Sequence, residues 1–312
     1  MTVLRYLWPR SVLLRALVGA LVALGLVTGC TTLEEKERAL TFRVEKRDAG
    51  WYSGQPVEVQ DVYLPVSAAP DAQRIHAWWW PDADPDAPVV YYLHGVRWNL
   101  TGHLRRIEQL RQFGYSVFAI DYRGFGKSDG DLPSEQMVYE DAMAGWKWLT
   151  ERQPDPARRL IYGHSLGGAV AIDLAAKLAA DGAACRPQAR GLIVEATFTS
   201  LPDVAAELSW SWLPTSLILT QRFDSISKIR TIDVPVLVVH GAGDRFIPAK
   251  FSQALYGAAP EPKRLLLVEN GSHNNSMWTG NGDYQRALAE LFGKPGEAVR
   301  ARADRAPSSR SC

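Results

Sequence analysis

A serine flanked by glycines stands near the middle of the sequence. Ser165 lies within Gly163-His164-Ser165-Leu166-Gly167, after the apolar run Leu160–Tyr162 and before an alanine-rich stretch that continues to Ala180. Glycines two positions to either side permit a sharp strand-to-helix turn in which backbone segments approach closely. The five-residue pattern alone is common by chance. With a strand-like run before it and a helix-like run after it, it predicts a nucleophilic serine.

A serine hydroxyl is a weak nucleophile at neutral pH, so it needs a base within hydrogen-bonding distance and a third group to orient that base. His273 follows the predicted strand Leu265–Val268, and Asp244 follows the predicted strand Pro235–Val239. Among the six histidines, only His273 stands in a loop after the last predicted strand. The chain order of nucleophile, acid and base fits one known arrangement of such a triad. We therefore predict His273 as the general base and Asp244 as the acid.

Glu195 is an alternative acid. It follows the predicted strand Leu192–Val194, so it also lies between the serine and the histidine in the chain. Either carboxylate could hold the imidazole in the right tautomer and stabilise the imidazolium. Asp244 is favoured because it ends the run His240-Gly241-Ala242-Gly243-Asp244 and precedes what looks like the start of a helix. Chain order alone leaves both acids open.

The elements expected to position these residues alternate between apolar strands and amphipathic helices. Continuous apolar strands separated by helices indicate a mostly parallel sheet that is buried on both faces, with ligands bound at the carboxyl ends of its strands. The segments Val57–Leu64 and Arg74–Trp80 predict two strands at the start of the domain that pair in the manner of a hairpin. The stretch 200–223 contains two tryptophans and several leucines and interrupts the alternation of strands and helices. We expect a small cap over the site there, and an additional packing helix is the alternative.

Five motifs resemble the α/β-hydrolase superfamily, specifically its serine-aminopeptidase-like and monoacylglycerol-lipase-like branch. They are, in chain order, Leu93-His94-Gly95, Asp121–Ser128, Gly163–Gly168, His240–Asp244 and Gly271-Ser272-His273. The resemblance covers about residues 56–292 and implies an α/β-hydrolase fold. It also implies an oxyanion hole formed by the backbone N–H groups of Leu166 and Val96. Valine departs from the small or polar residue often found there, and its branched side chain is expected to narrow the acyl pocket.

The N-terminus has the pattern of a targeting segment. Arginines at positions 5, 10 and 15 precede the apolar run Ala16–Val27, which is shorter than the roughly 20 residues of a membrane span. Val27-Thr28-Gly29-Cys30 resembles the lipobox of bacterial lipoproteins, which implies cleavage before Cys30 and its acylation. Thr31 after the cysteine favours the outer membrane, facing the periplasm. An uncleaved signal anchor with an incidental cysteine is the alternative.

Composition narrows the possible functions of the 312-residue chain. Its net charge of +1 gives no basic surface of the kind that nucleic-acid binding requires. No metal-ligand spacing and no dinucleotide fingerprint is found, so no cofactor and no metal is expected. We predict a signal peptide (1–29), a tether (30–55), a hydrolase domain (56–295) and a disordered tail (296–312). The expected activity is hydrolysis of carboxylic ester or related acyl bonds in a small-molecule substrate, with a peptidase or amidase, or a non-catalytic envelope scaffold, as alternatives.

Overall fold

The computed structural model describes residues 31–181, 187–208 and 215–295. Within them, eight strands form one sheet: β1 (Gln60–Pro65), β2 (Arg74–Trp80), β3 (Val89–Leu93), β4 (Ser116–Ile120), β5 (Arg159–His164), β6 (Gly191–Glu195), β7 (Val236–Gly241) and β8 (Lys263–Val268). Their order in the sheet is β1-β2-β4-β3-β5-β6-β7-β8. β1 and β2 pair antiparallel, β2 is also antiparallel to β4, and the pairs from β4 through β8 are parallel. The predicted parallel α/β architecture is confirmed.

The central strands are apolar throughout because both faces of the sheet are covered. Every residue of β3 and β4 is buried, and side chains alternate between two cores. Val89, Tyr91 and Leu93 of β3 belong to one core cluster, whereas Val90 and Tyr92 belong to the cluster on the opposite face. This alternation follows from the two-residue period of a strand.

Helices pack on both faces of the sheet. α3 (Glu135–Arg152), α4 (Leu166–Ala180) and α8 (Lys250–Ala258) contribute residues to one core cluster, and α2 (Leu100–Gln112) and α10 (Asn281–Phe292) contribute to the other. Short helices lie between them: α5 (Leu201–Leu208), α6 (Thr215–Ile218), α7 (Ser225–Lys228) and α9 (Ser276–Thr279). Residues 31–42 form a further helix, α1. None of the helices within the described ranges is long and apolar enough to cross a membrane.

The segment expected as a tether contacts the loops at the carboxyl ends of the strands. Glu37 of α1 accepts hydrogen bonds from the backbone N–H groups of Thr220 and Gln221, beside α6. Phe42 is fully buried, and its carbonyl accepts from the N–H of Arg97 in the loop after β3. The stretch 200–223 contains α5 and α6, which are compatible with either the expected cap or the alternative packing helix. Its residues 209–214, with Trp210 and Trp212, lie outside the described residues, as do Cys30 and the predicted tail.

The observed strands are longer than predicted at the end that faces the site. β5 continues to His164 and β7 to Gly241, so each strand runs almost to the residue expected to do chemistry. Their final residues are glycine and histidine, which lack the β-branched or aliphatic character of a strand, so the apolar pattern ended early. In the structure, neighbouring parallel strands supply the pairing that these residues need.

Candidate active site

Ser165 occupies a strained turn between β5 and α4. Its backbone dihedrals are φ 55° and ψ −123°, a conformation that non-glycine residues rarely adopt. A Cβ on Gly163 would collide with the carbonyl of Gly167, and a Cβ on Gly167 would collide with the carbonyl of Leu93. The two glycines are therefore required by close backbone approach, the physical reason for which the sequence pattern was singled out.

The structure brings His273 and Asp244 together with Ser165. His273 Nε2 lies 3.1 Å from Ser165 Oγ, and His273 Nδ1 lies 2.7 Å from Asp244 Oδ2. Because a carboxylate accepts, Nδ1 carries the proton, which leaves Nε2 free to accept the serine hydroxyl proton. Ser165 itself is buried, with 8% of the residue exposed. The geometry is that of a nucleophile, a base and an orienting acid in series.

Asp244 is held by four donors. Its Oδ1 accepts from the backbone N–H groups of Phe246 and Ile247 at 2.8 and 3.0 Å. Its Oδ2 faces His273 and, at 3.2 Å, the Nε2 of buried His240, which also donates to the Ile247 carbonyl. Burial alone would raise the pKa of Asp244, but the hydrogen bonds from His240 and His273 outweigh it and hold this pKa well below 3.8. The carboxylate is therefore charged at neutral pH.

The loops after β7 and β8 are bonded to each other, which fixes the separation of Asp244 and His273. The N–H of Ala242 donates to the Val268 carbonyl, and the N–H of Gly243 donates to the Gly271 carbonyl, both at 2.9 Å. A Cβ on Gly241 would lie 2.5 Å from the carbonyl carbon of Gly271. Only glycine permits this approach, so the two glycines of the predicted motifs bring the acid loop and the histidine loop together.

Val96 and Leu166 flank the serine. A Cβ added to Gly95 would lie 3.1 Å from Ser165 Cβ, which places the loop leading to Val96 directly against the serine. Leu166 is the first residue of α4. Its backbone N–H therefore belongs to the first turn of the helix, where N–H groups have no acceptor within the helix. The Val96 side chain is half-buried against the core cluster below the loop.

Buried polar groups support the loop that carries Val96. Asp121 accepts from the N–H of Leu100 at 2.9 Å and lies 3.3 Å from His76 and 3.4 Å from His94. His94 in turn donates from Nδ1 to the Gly95 carbonyl at 2.6 Å. Burial would raise the pKa of Asp121, but the neighbouring His76 and His94 lower it to about 2. A charged Asp121 is thus part of the framework beneath the loop.

Glu195 does not contact His273. Its carboxylate is fully buried and accepts from Arg106 at 2.5 Å, from the Tyr162 hydroxyl at 2.6 Å and from the Tyr284 hydroxyl at 2.9 Å. Both of its oxygens are therefore occupied by other partners. Between the two candidate acids, the geometry favours Asp244.

Two buried residues beside the triad, Arg106 and His164, were not predicted from the sequence as part of the site. Arg106 is 4% exposed, and its Nη2 donates to the carbonyl of Asn274, the residue after His273. His164 donates from Nε2 to the carbonyl of His273 at 2.8 Å. Burial, together with the charge of Arg106, holds the pKa of His164 well below 6.5, so its ring is neutral. The position of His164 beside the serine was the available signal, whereas no local pattern in the sequence marks Arg106.

Comparisons with known proteins agree with this architecture. Residues 84–228 match the family described as "Serine aminopeptidase, S33". The chain is 34% identical to "Uncharacterized protein MT2364" of Mycobacterium tuberculosis, over 82% of this chain and 86% of that protein. The chain belongs to the α/β-hydrolase superfamily. The predicted superfamily is thus confirmed, and the protein is a hydrolase of that superfamily.

Two further proteins are similar to this chain, one in sequence and one in fold. This α/β hydrolase is 31% identical to "Lysophosphatidylserine lipase ABHD12" of Danio rerio, over 65% of this chain and 55% of that protein. It shares its fold with an esterase of Pyrococcus furiosus, Pf2001, at a TM-score of 0.60 and 20% identity, covering 81% of this chain and 97% of the esterase. The family match over 84–228 includes Ser165 but stops before Asp244 and His273. The geometry of the three side chains is therefore an observation separate from the family match.

Proposed function

We propose that this α/β hydrolase is a serine hydrolase that cleaves carboxylic ester or related acyl bonds through a covalent acyl-enzyme. The observation that carries the proposal is the continuous series from Asp244 Oδ2 to His273 Nδ1 at 2.7 Å and from His273 Nε2 to Ser165 Oγ at 3.1 Å. These contacts lie within the range required for proton transfer between nucleophile and base.

In the proposed mechanism, Ser165 Oγ attacks the acyl carbon while His273 Nε2 takes the hydroxyl proton. The charged Asp244 stabilises the imidazolium, and the N–H groups of Val96 and Leu166 hold the oxyanion, each contributing about 3 kcal/mol in the transition state. The imidazolium then protonates the departing alcohol, and an ester of Ser165 remains. Water deprotonated by His273 attacks that ester, the carboxylic acid leaves, and the proton returns to Ser165.

Two acyl substrates are compatible with this site. Hydrolysis of esters is supported by the similarity to a lipase. Hydrolysis of amides is supported by the name of the matching family, which is that of an aminopeptidase. The same triad performs both reactions on related folds. We favour esters because the similarity to the lipase continues along a larger part of this chain, 65% of it.

A panel of esters of increasing acyl length, assayed beside aminoacyl amides, tests the assignment. Hydrolysis of esters with higher kcat/KM than amides of the same acyl group supports an esterase. The opposite ranking makes the protein a peptidase or amidase. A fluorophosphonate that labels wild type but not Ser165→Ala supports a working nucleophile, and absence of labelling together with inactivity on the whole panel favours the non-catalytic scaffold.

We further propose that the protein is anchored in the cell envelope through acylated Cys30, with the outer membrane and the periplasmic side favoured by Thr31. The exposure of helix α1 supports this. Leu33 and Leu40 are 56% and 71% exposed, whereas Glu37 and Arg38 turn inward and bond to other loops. The twelve residues 31–42 span about 18 Å at 1.5 Å per residue. An anchor at Cys30 would thus hold the loop at Arg97, and with it the site, close to the lipid surface.

A further inference from the structure

A buried ion pair lies behind the triad without touching the reacting atoms. Arg106 of α2 and Glu195 at the end of β6 are 4% and 0% exposed and lie 2.5 Å apart. The hydroxyls of Tyr162 and Tyr284 donate to the second carboxylate oxygen of Glu195. The pair comes from residues 89 positions apart in the chain, and these four side chains join α2, β5, β6 and α10.

The two residues of the ion pair contact the backbone on both sides of the triad, Glu195 through its main chain and Arg106 through its side chain. The backbone carbonyl of Glu195 accepts from the N–H of Ser165 at 2.9 Å. Arg106 Nη2 donates to the carbonyl of Asn274, next to His273, at 3.0 Å. The same residue pair therefore contacts the backbone of the nucleophile on one side and the backbone of the histidine loop on the other.

We propose that Arg106 and Glu195 are positioning residues that hold the histidine loop at the distance from Ser165 that proton transfer requires. This inference rests on the proposed function. Glu195 orients the guanidinium through one amino group, which leaves the other aimed at the Asn274 carbonyl. His164 holds the neighbouring His273 carbonyl at 2.8 Å, so two consecutive carbonyls of the loop have buried donors.

Energetics favour positioning over stabilisation as the role of this pair. The cost of removing two charges from water offsets much of their attraction, and replacing a buried pair with uncharged residues of similar volume is often neutral or stabilising. In contrast, a misplacement of about 1 Å between reacting groups can lower the rate by about 10²-fold. The value of the pair is thus expected to appear in turnover more than in stability.

The test removes both charges together. Arg106→Met/Glu195→Gln leaves no unpaired buried charge, so its Tm is expected to stay within a few degrees of wild type, above that of either single variant. Its kcat should fall about 10²-fold, with KM changed less than twofold, and the rate of fluorophosphonate labelling should fall in parallel. Arg123→Met/Asp141→Asn is the matched control, because Arg123 Nε and Asp141 also form a buried pair at 2.6 Å. Its kcat should remain at the wild-type value.

A proton spectrum of the full-length protein gives a readout that does not depend on turnover. The Nδ1–H of His273, bonded to Asp244, should give a downfield resonance that disappears in Asp244→Asn. We expect this resonance to shift or broaden in the Arg106/Glu195 double variant and to persist in the control pair. A double variant with wild-type kcat and an unchanged resonance overturns the positioning role. If wild type is inactive on all substrates, the proposed function is overturned. The positioning role is then still tested by the resonance, which should shift in the double variant and persist in the control pair.

Discussion

Replacement of Asp244 by asparagine is expected to abolish most activity while the fold is retained. Oδ1 of residue 244 accepts from two backbone N–H groups, so an asparagine must keep its oxygen there and direct its NH2 toward His273. The opposite orientation would set that NH2 against two backbone donors. Since the NH2 can only donate, His273 Nδ1 must accept, and the ring proton moves to Nε2. A protonated Nε2 cannot take the proton of Ser165.

The magnitude follows from this loss of the productive tautomer. The equivalent change in a serine protease lowers kcat about 10⁴-fold. We expect a loss of about 10³- to 10⁴-fold here, which corresponds to about 4–5.5 kcal/mol in the activation free energy at about 1.4 kcal/mol per tenfold change. A hydrogen bond to the charged carboxylate is also lost, but the two backbone bonds to Oδ1 remain, so the change in Tm should be small.

The assay compares kcat at several pH values for Asp244→Asn, Glu195→Gln and Asp233→Asn. Asp233 is exposed and precedes the same strand, β7, so its variant controls for the loss of a nearby charge. Asp244→Asn should show the largest loss, Glu195→Gln a much smaller one and Asp233→Asn none. A loss of 10³-fold in Glu195→Gln, with Asp244→Asn within tenfold of wild type, would refute the reasoning and transfer the acid to Glu195.

Three other outcomes can be measured directly. Ser165→Ala should lower turnover about 10⁴-fold or more with an unchanged circular dichroism spectrum, and substantial residual esterase activity in a clean preparation would contradict it. Cys30→Ser should abolish metabolic labelling by a fatty-acid analogue and move the protein out of the membrane fraction or leave it unprocessed. Persisting label would show that Cys30 is not the acylated residue. Asp121 has a folded pKa of about 2 against 3.8, so its ionisation contributes about 2 kcal/mol above pH 3.8 that is lost as pH falls through 2. Urea unfolding from pH 5 to pH 2 should show this loss in wild type and not in Asp121→Asn, and parallel curves would refute it.

The nucleophile could be predicted because everything that defines it is local. The glycines around Ser165 act within a few residues of it, and the strand and helix on either side have their own apolar patterns. The acid could not be decided in this way, because Glu195 and Asp244 both follow strands and both lie between the serine and the histidine. Two long-range contacts distinguish the two candidate acids: His273 Nδ1 bonds to Asp244, whereas the carboxylate of Glu195 bonds to Arg106.

Arg106 illustrates why the residues behind the triad were missed. The spacing of Leu104, Ile107 and Leu110 is typical of a helix, but a helical pattern assigns polar residues to the solvent face. Arg106 is buried because its partners, Glu195 and the Asn274 carbonyl, are 89 and 168 positions away. No local pattern encodes contacts at such separations, and a buried charge is acceptable only when such partners are present.

The N-terminal segment shows the same limitation and connects the two proposals. The mixed charges of residues 31–50 predict a short helix or a tether and give no sign of a contact with the site. In the structure the carbonyl of Phe42 accepts from the N–H of Arg97, immediately after Val96. Arg97 has φ 84°, a conformation that costs a non-glycine residue about 1–3 kcal/mol unless its surroundings impose it. The contact with Phe42 is one such constraint. Residues 31–42 therefore link the proposed anchor to the loop that presents the proposed oxyanion donor, so the tether is also part of the structure that shapes the site.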